Sequence, residues 1–109
     1  MRILQDPAAL SRAIAESPLL LVQFGADTCA PCHAIRQRMD HWTARHPAAD
    51  SLYISVPDFP ALAAGAEVFS VPTVLVYVAG KCTLRQSGYF SLDALLQDAE
   101  RYLRLLDLA

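Results

Sequence analysis

The chain has 109 residues, of which 54% are hydrophobic and 18% are charged, and its formal net charge is −2. We therefore expect a single folded domain over residues 1–109, with no nucleic-acid partner, because the basic residues are few and scattered. The apolar runs are too short to cross a bilayer, and Asp6 and Pro7 interrupt any secretory signal. We expect no membrane association and a cytoplasmic location.

The first half of the chain predicts a helix, a strand and a second helix. The first helix ends at Glu16, and the apolar run 19–24 predicts a strand that is covered on both faces. The second helix begins near Cys29, and Pro31 is tolerated there because first-turn amides have no partner within the helix. The apolar face of this helix consists of Ile35, Met39 and Trp42.

The second half of the chain predicts three strands and two helical segments. In chain order these are a strand over 52–56, a helical turn over 61–66, strands over 74–79 and 82–86, and a final helix capped by Ser91. Gly80-Lys81 is the predicted hairpin turn. The positions expected to be buried are Leu62, Ala66, Leu92, Leu95, Leu96, Ala99 and Leu103. This order predicts an α/β fold with a mixed sheet flanked by helices.

Cys29 and Cys32 form a Cys-x-x-Cys pair where the buried strand ends and a helix begins. A helix N-terminus carries unpaired N–H groups and partial positive charge, which favour a thiolate over a thiol. The spacing puts both sulfurs on one face of the first turn, close enough to form a disulfide. Cys29 is the predicted attacking thiolate, and the more buried Cys32 would resolve the mixed disulfide. Pro31 would hold the sulfurs in register.

Other interpretations of the pair are weaker. The segment from Cys29 to His33 also matches the c-type haem attachment signature, but haem attachment does not need the surrounding strand and apolar helix. A structural zinc site usually needs four ligands, whereas Cys82 and the histidines are dispersed. We therefore predict no cofactor and no metal. His33 is either solvated or, when protonated, favours the Cys29 thiolate.

Residues 22–32 resemble the active-site segment of the thioredoxin family, and residues 56–73 resemble its connecting helix and Val-Pro-Thr loop. The spacing from Pro72 to Gly88 also agrees, so the resemblance covers nearly the whole chain. It implies a thioredoxin fold with a cis bond between Val71 and Pro72. It also implies a thiol–disulfide oxidoreductase that reduces disulfide-containing proteins and receives electrons from a reductase or another dithiol protein.

The resemblance further implies which residues surround the two cysteines. The implied substrate groove is lined by Thr28, Val71, Pro72, Gly88 and Tyr89, and the active-site loop also includes Ala30, Pro31 and His33. Backbone pairing at Val71 would bind an extended segment with little sequence preference.

Three positions depart from the family pattern. Gln23 stands where a buried aspartate usually takes the proton of the resolving cysteine, and an amide cannot act as that base. Gly25 and Thr28 occupy the places of two tryptophans. These departures leave an alternative function, in which the chain is an adaptor or chaperone-like module that holds partner segments with little turnover.

Overall fold

The computed structural model describes residues 1–108, so Ala109, the last residue of the predicted domain, lies outside the described residues. Within them, strands and helices alternate over most of the chain. In chain order the elements are β1 (Arg2–Ile3), α1 (Ala8–Glu16), β2 (Leu19–Gly25), α2 (Ala30–Ala44), β3 (Ala49–Ser55), α3 (Pro60–Gly65), β4 (Thr73–Val78), β5 (Lys81–Ser87) and α4 (Leu92–Leu105). None of the helices in this part of the chain combines the length and apolar character needed to cross a membrane.

The five strands form one mixed sheet in the order β1-β3-β2-β4-β5. β2 and β3 are parallel, as are β1 and β3, whereas β4 is antiparallel to both β2 and β5. The predicted α/β class and mixed sheet are confirmed. Because β2 lies at the centre, its carboxyl end is flanked by β3 on one side and by β4 on the other.

All seven residues of β2 are buried, because helices cover the strand on both faces. Leu19 and Leu21 belong to a core cluster with residues of α2 and α4, which we call the α2/α4 face. Leu20, Val22 and Phe24 belong to a second cluster with residues of α1 and α3, which we call the α1/α3 face. The continuous apolar run is thus explained by two covered faces rather than one.

β3 begins three residues earlier than predicted. Its first residues, Ala49–Ser51, pair with Leu19–Leu21 of β2, and this pairing satisfies backbone groups that the local sequence does not mark as a strand. β1 was not predicted, because a two-residue strand has no periodicity of its own. It exists because Arg2 and Ile3 pair with residues 52 and 53 of β3.

The predicted hairpin turn is displaced by one residue. The turn residues are Ala79 and Gly80, with φ of 50° and 82°, and Lys81 already belongs to β5. A two-residue hairpin of this kind needs the left-handed conformation at both central positions. Gly80 adopts it freely, and Ala79 is held in it by the two paired strands.

The predicted buried positions of α3 are partly wrong. Ala63 is the buried residue of this helix, whereas Leu62 and Ala66 pack against the α1/α3 face while remaining partly exposed. The helix has only six residues, so its orientation follows the chain entering and leaving it rather than a long apolar stripe.

The prediction for α4 is confirmed. Ser91 is the N-cap residue, and its side chain accepts a hydrogen bond from Ala94 N–H at 3.1 Å. The five predicted core positions are all buried: Leu92, Leu95, Leu96, Ala99 and Leu103.

We expect Ser91→Ala to lower the free energy of unfolding by about 1 kcal/mol, because the Ala94 N–H loses its acceptor. Urea unfolding followed by circular dichroism measures the change. The matched control is Ser11→Ala in α1, where the exposed hydroxyl contacts a carbonyl oxygen within the helix and caps nothing. Equal losses in both variants would contradict a capping role for Ser91.

Candidate active site

The two cysteines of the Cys-x-x-Cys pair lie at the junction between the end of β2 and the start of α2. Cys29 is the N-cap residue of α2, and its Sγ accepts a hydrogen bond from Cys32 N–H at 3.3 Å. Cys29 and Cys32 are joined by a disulfide, with their Cα atoms 5.3 Å apart. Pro31 lies in the first turn, where its missing N–H costs the helix no hydrogen bond.

The two cysteines differ in exposure. Cys32 is fully buried, whereas Cys29 is partly exposed. The residues on either side of Cys29 are exposed: Thr28, Ala30 and Pro31. A second protein can therefore reach Cys29 but not Cys32 without disturbing the helix.

His33 contacts the loop that precedes the nucleophile position. Its Nε2 lies 2.9 Å from the carbonyl oxygen of Asp27, and because a carbonyl only accepts, Nε2 carries the hydrogen. The side chain is exposed, yet it ties the first turn of α2 back to the loop. This contact with the loop backbone is a role that neither of the two expectations for His33 included.

The Val71–Pro72 peptide bond is cis, as the resemblance implies. Pro72 is buried and Val71 is partly exposed. The next residue, Thr73, pairs with Phe24 of β2, so the cis-proline loop lies beside the end of β2 from which Cys29 follows. The topology therefore brings the Val-Pro-Thr loop and the Cys-x-x-Cys pair to the same edge of the sheet.

Hydrogen bonds hold the cis-proline loop against the segment after β5. The Gly88 N–H donates to the Pro72 carbonyl oxygen at 2.9 Å. The Thr73 hydroxyl donates to the Ser70 carbonyl oxygen at 2.7 Å and accepts from the Ser87 hydroxyl at 2.8 Å. Gly88 has a φ of 70°, a left-handed conformation that glycine adopts without strain. The structure thus brings Val71, Pro72 and Gly88 together, and their role as a substrate groove stays a prediction.

Two groups near this loop were missed by sequence reasoning. Arg85 of β5 donates to the carbonyl oxygens of Ala66 and Glu67, which anchors the turn that leads into the loop. The second group is Phe69, which is 85% exposed and lies two residues before Val71 of the cis bond. Tyr89, which was predicted as a groove residue, is fully exposed after Gly88. Phe69 follows the buried Val68 and precedes Ser70, and nothing in this local pattern indicates that its ring is exposed.

Tyr53 fills the space beside Gly25, and sequence reasoning missed it as well. A Cβ atom on Gly25 would lie 2.6 Å from Tyr53 Oη, too close for any real contact. The Arg36 guanidinium lies over the Tyr53 ring, 4.6 Å from its centroid. Burial raises the pKa of Tyr53, and the nearby Arg36 cation partly opposes that increase. The Tyr53 side chain of β3 therefore fills the space beside Gly25, and the Arg36 side chain of α2 covers the Tyr53 ring.

Gln23 lies inside the core beneath the disulfide. Its side chain is fully buried, and Nε2 donates to the Cys32 carbonyl oxygen at 2.7 Å. The predicted buried position thus contacts the backbone of the buried cysteine directly.

Histidine, cysteine and acidic side chains do not cluster as metal ligands. Within residues 1–108, no group of three or more such side chains is placed to hold one ion. Cys82 is free and exposed on β5. It pairs with Tyr77, which lies beside the start of β2, whereas Cys29 follows the end of β2.

This arrangement of two cysteines can perform thiol–disulfide exchange. One accessible sulfur and one buried sulfur can form and break a disulfide, and the helix N-terminus stabilises the thiolate that results. The fold and the site define a thiol–disulfide exchange protein built on a mixed sheet.

The sequence model of the family described as Thioredoxin matches residues 3–101, and the chain belongs to the thioredoxin family. It is 32% identical over 89 residues to a thioredoxin of Staphylococcus aureus, covering 81% of this chain and 86% of that protein. It is 33% identical over 69 residues to thioredoxin-1 of Saccharomyces cerevisiae, covering 63% and 67%. The chain is a thiol–disulfide oxidoreductase, as predicted.

Solved structures agree with this assignment. A mutant thioredoxin from Halobacterium salinarum superimposes with a TM-score of 0.83 and 27% identity, covering 93% of this chain and 88% of that chain. Thioredoxin from Fasciola hepatica gives a TM-score of 0.82 and 27% identity, covering 94% and 99%. The predicted thioredoxin fold is confirmed.

We expect Gly25→Ala to lower the free energy of unfolding by about 1–3 kcal/mol, because the added methyl group must displace the buried Tyr53 ring. Chemical denaturation measures the loss. In the double variant with Tyr53→Val, the cost of the alanine should be smaller than in the wild-type background.

Gly65→Ala is the matched control for this prediction. No atom lies within 4 Å of the Cβ position at Gly65, so that variant should be unchanged or up to ~1 kcal/mol more stable. If Gly25→Ala behaved like Gly65→Ala, the Tyr53 ring would not be the group that excludes a side chain at position 25.

Proposed function

We propose that this chain acts as a single domain over residues 1–109 that reduces disulfides in other proteins, with Cys29 as the nucleophile and Cys32 as the resolving thiol. The observation that carries the proposal is the difference in exposure between the two sulfurs. Cys29 is partly exposed at the helix start, whereas Cys32 is fully buried one turn later. The attacking group must reach a second protein, and the resolving group must reach only Cys29.

The proposed cycle transfers two electrons from the dithiol to the substrate. The Cys29 thiolate attacks one sulfur of the substrate disulfide, and the other substrate sulfur leaves as a thiolate that takes a proton from water. Cys32 then attacks Cys29 Sγ, and its proton passes to the first substrate sulfur, which leaves as a thiol. The products are the Cys29–Cys32 disulfide and two substrate thiols. A reductase or another dithiol protein would restore the dithiol.

The contacts at the helix start support Cys29 as the thiolate. The Cys32 N–H already points at Cys29 Sγ, 3.3 Å away, and would donate to a negative sulfur more strongly than to a neutral one. The N-terminal end of α2 adds partial positive charge at the same place. Both effects lower the pKa of a thiol.

The proposed substrate groove consists of Thr28, Val71, Pro72, Gly88 and Tyr89, and we extend the proposal to the exposed Phe69. Among residues 1–108, no hydrogen bond involves the Val71 backbone, and pairing with β2 begins only at Thr73, so the Val71 N–H and carbonyl oxygen can pair with an extended segment. The exposed rings of Phe69 and Tyr89 offer apolar surface on the two loops that border the groove.

A cytoplasmic location is part of the proposal. Support comes from Cys82, an exposed free thiol, because such a group persists more readily in a reducing compartment. Cell fractionation followed by immunoblotting tests the location.

The function is tested by the reduction of insulin with dithiothreitol, followed by turbidity. The wild type should accelerate the reaction, and Cys29→Ser should abolish the acceleration because the accessible thiol at the start of α2 is lost. Cys32→Ser should accumulate a mixed disulfide with the substrate. Cys82→Ser is the matched control, since it removes a cysteine outside the site and should leave the rate unchanged.

Two results would overturn the proposal. A wild-type rate equal to that of dithiothreitol alone would contradict reductase activity. Capture of partner segments that survives in Cys29→Ser would favour the adaptor function instead, because binding would then be independent of disulfide exchange.

A further inference from the structure

Gln23 is placed where it can respond to the redox state of the site. It is the fifth residue of β2, is fully buried, and pairs with Tyr53 of β3 and Val74 of β4. Like Leu21 and Leu19, which are two and four residues earlier, its side chain lies on the α2/α4 face. It therefore lies in the core beneath the first turn of α2.

Only one end of the Gln23 carboxamide is paired in the disulfide form. Nε2 donates to the Cys32 carbonyl oxygen at 2.7 Å, whereas Oε1 is buried and has no hydrogen-bond partner among the described residues. A buried acceptor without a donor costs about 1–3 kcal/mol. Since Oε1 and Nε2 share one carbon atom, the Nε2 bond keeps the unpaired oxygen near the backbone of residue 32.

The Cys32 sulfur is a buried group whose hydrogen-bonding capacity changes with redox state. In a disulfide, Cys32 Sγ has no hydrogen to donate, but the thiol formed on reduction is a donor. Cys32 is fully buried, so its S–H cannot be satisfied by bulk water without movement of the helix.

We propose that Gln23 Oε1 accepts a hydrogen bond from the Cys32 thiol in the dithiol form, so that Gln23 is a positioning residue that favours reduction of the disulfide. The disulfide form leaves the amide oxygen unpaired, and the dithiol form satisfies it. The Nε2 bond to the Cys32 backbone holds the carboxamide in place in both forms. This inference rests on the proposed redox cycle of Cys29 and Cys32.

The test compares the wild type with Gln23→Met, an unbranched apolar side chain of similar length, and with Gln23→Leu as a second variant. Each protein is equilibrated with reduced and oxidised glutathione, and the equilibrium constant is measured. In this reaction one protein disulfide and two glutathione thiols give one protein dithiol and one glutathione disulfide. We expect the equilibrium to move about tenfold toward the protein disulfide, a change of about −30 mV in reduction potential.

A second readout observes the thiol itself. In the reduced-minus-oxidised infrared spectrum, an S–H group that donates a hydrogen bond absorbs at lower frequency than a free one. The Cys32 band should therefore move to higher frequency in Gln23→Met. Cys82, an exposed thiol that glutathione could also modify, is replaced by serine in every protein compared, so that it contributes no S–H band. Ser51→Ala is the matched control, because Ser51 is 3% exposed and lies on the same face two residues before Tyr53, and both readouts should be unchanged in it.

The inference is supported if the glutathione equilibrium moves toward the protein disulfide and the Cys32 S–H band also moves to higher frequency. An equilibrium constant within twofold of the wild type, a shift toward easier reduction, or an S–H band that does not move in either variant would overturn it. A buried water that satisfied Oε1 in both forms would give the first of these results. Both readouts require only that a small thiol can reduce the disulfide, so they report on Gln23 even if the insulin assay fails.

Discussion

Strand β2 is buried on both faces, and the position of the redox site follows from that burial. Leu19 and Leu21 pack on the α2/α4 face, while the alternate residues pack on the α1/α3 face. A shift of one residue along the neighbouring strands would exchange these two sets, so the register is strongly specified. The carboxyl end of β2 therefore has one fixed position in the sheet, and Cys29 and the start of α2 follow directly after it. The same packing places Gln23 in the core, two residues before the strand ends.

The second half of the site is built by the antiparallel part of the sheet. Because β4 pairs with β2, the segment that enters β4 must pass the end of β2, and this segment is the cis-proline loop. Its backbone is held from the other side by Gly88 and by the hydroxyl pair of Thr73 and Ser87. The cysteine pair and the cis-proline loop thus come from distant parts of the chain, and their relative position depends on the pairing of β4 with β2 rather than on either loop alone.

Two of the three departures from the family pattern, at positions 23 and 25, are accommodated by contacts with neighbouring groups. Tyr53 fills the space beside Gly25 and is covered by Arg36, so the loss of a large side chain at position 25 leaves no cavity there. Gln23 contributes an amide where the family usually has a carboxylate, and it keeps a direct hydrogen bond to the buried cysteine. These replacements change what surrounds the sulfurs, while the exchange site itself is retained.

Local sequence was sufficient for the features that depend on short-range physics. The Cys-x-x-Cys spacing, the apolar run of β2, and the Ser91 cap with its apolar stripe each specify their own structure, because turn geometry, burial and capping act within a few residues. Tertiary structure alone decided the rest. β1 and the start of β3 exist through pairing with other strands, the hairpin turn lies one residue earlier than its glycine indicated, and the contacts of Tyr53 and Arg85 join residues far apart in the chain. Such contacts depend on which strands become neighbours, and a single stretch of sequence does not contain that information.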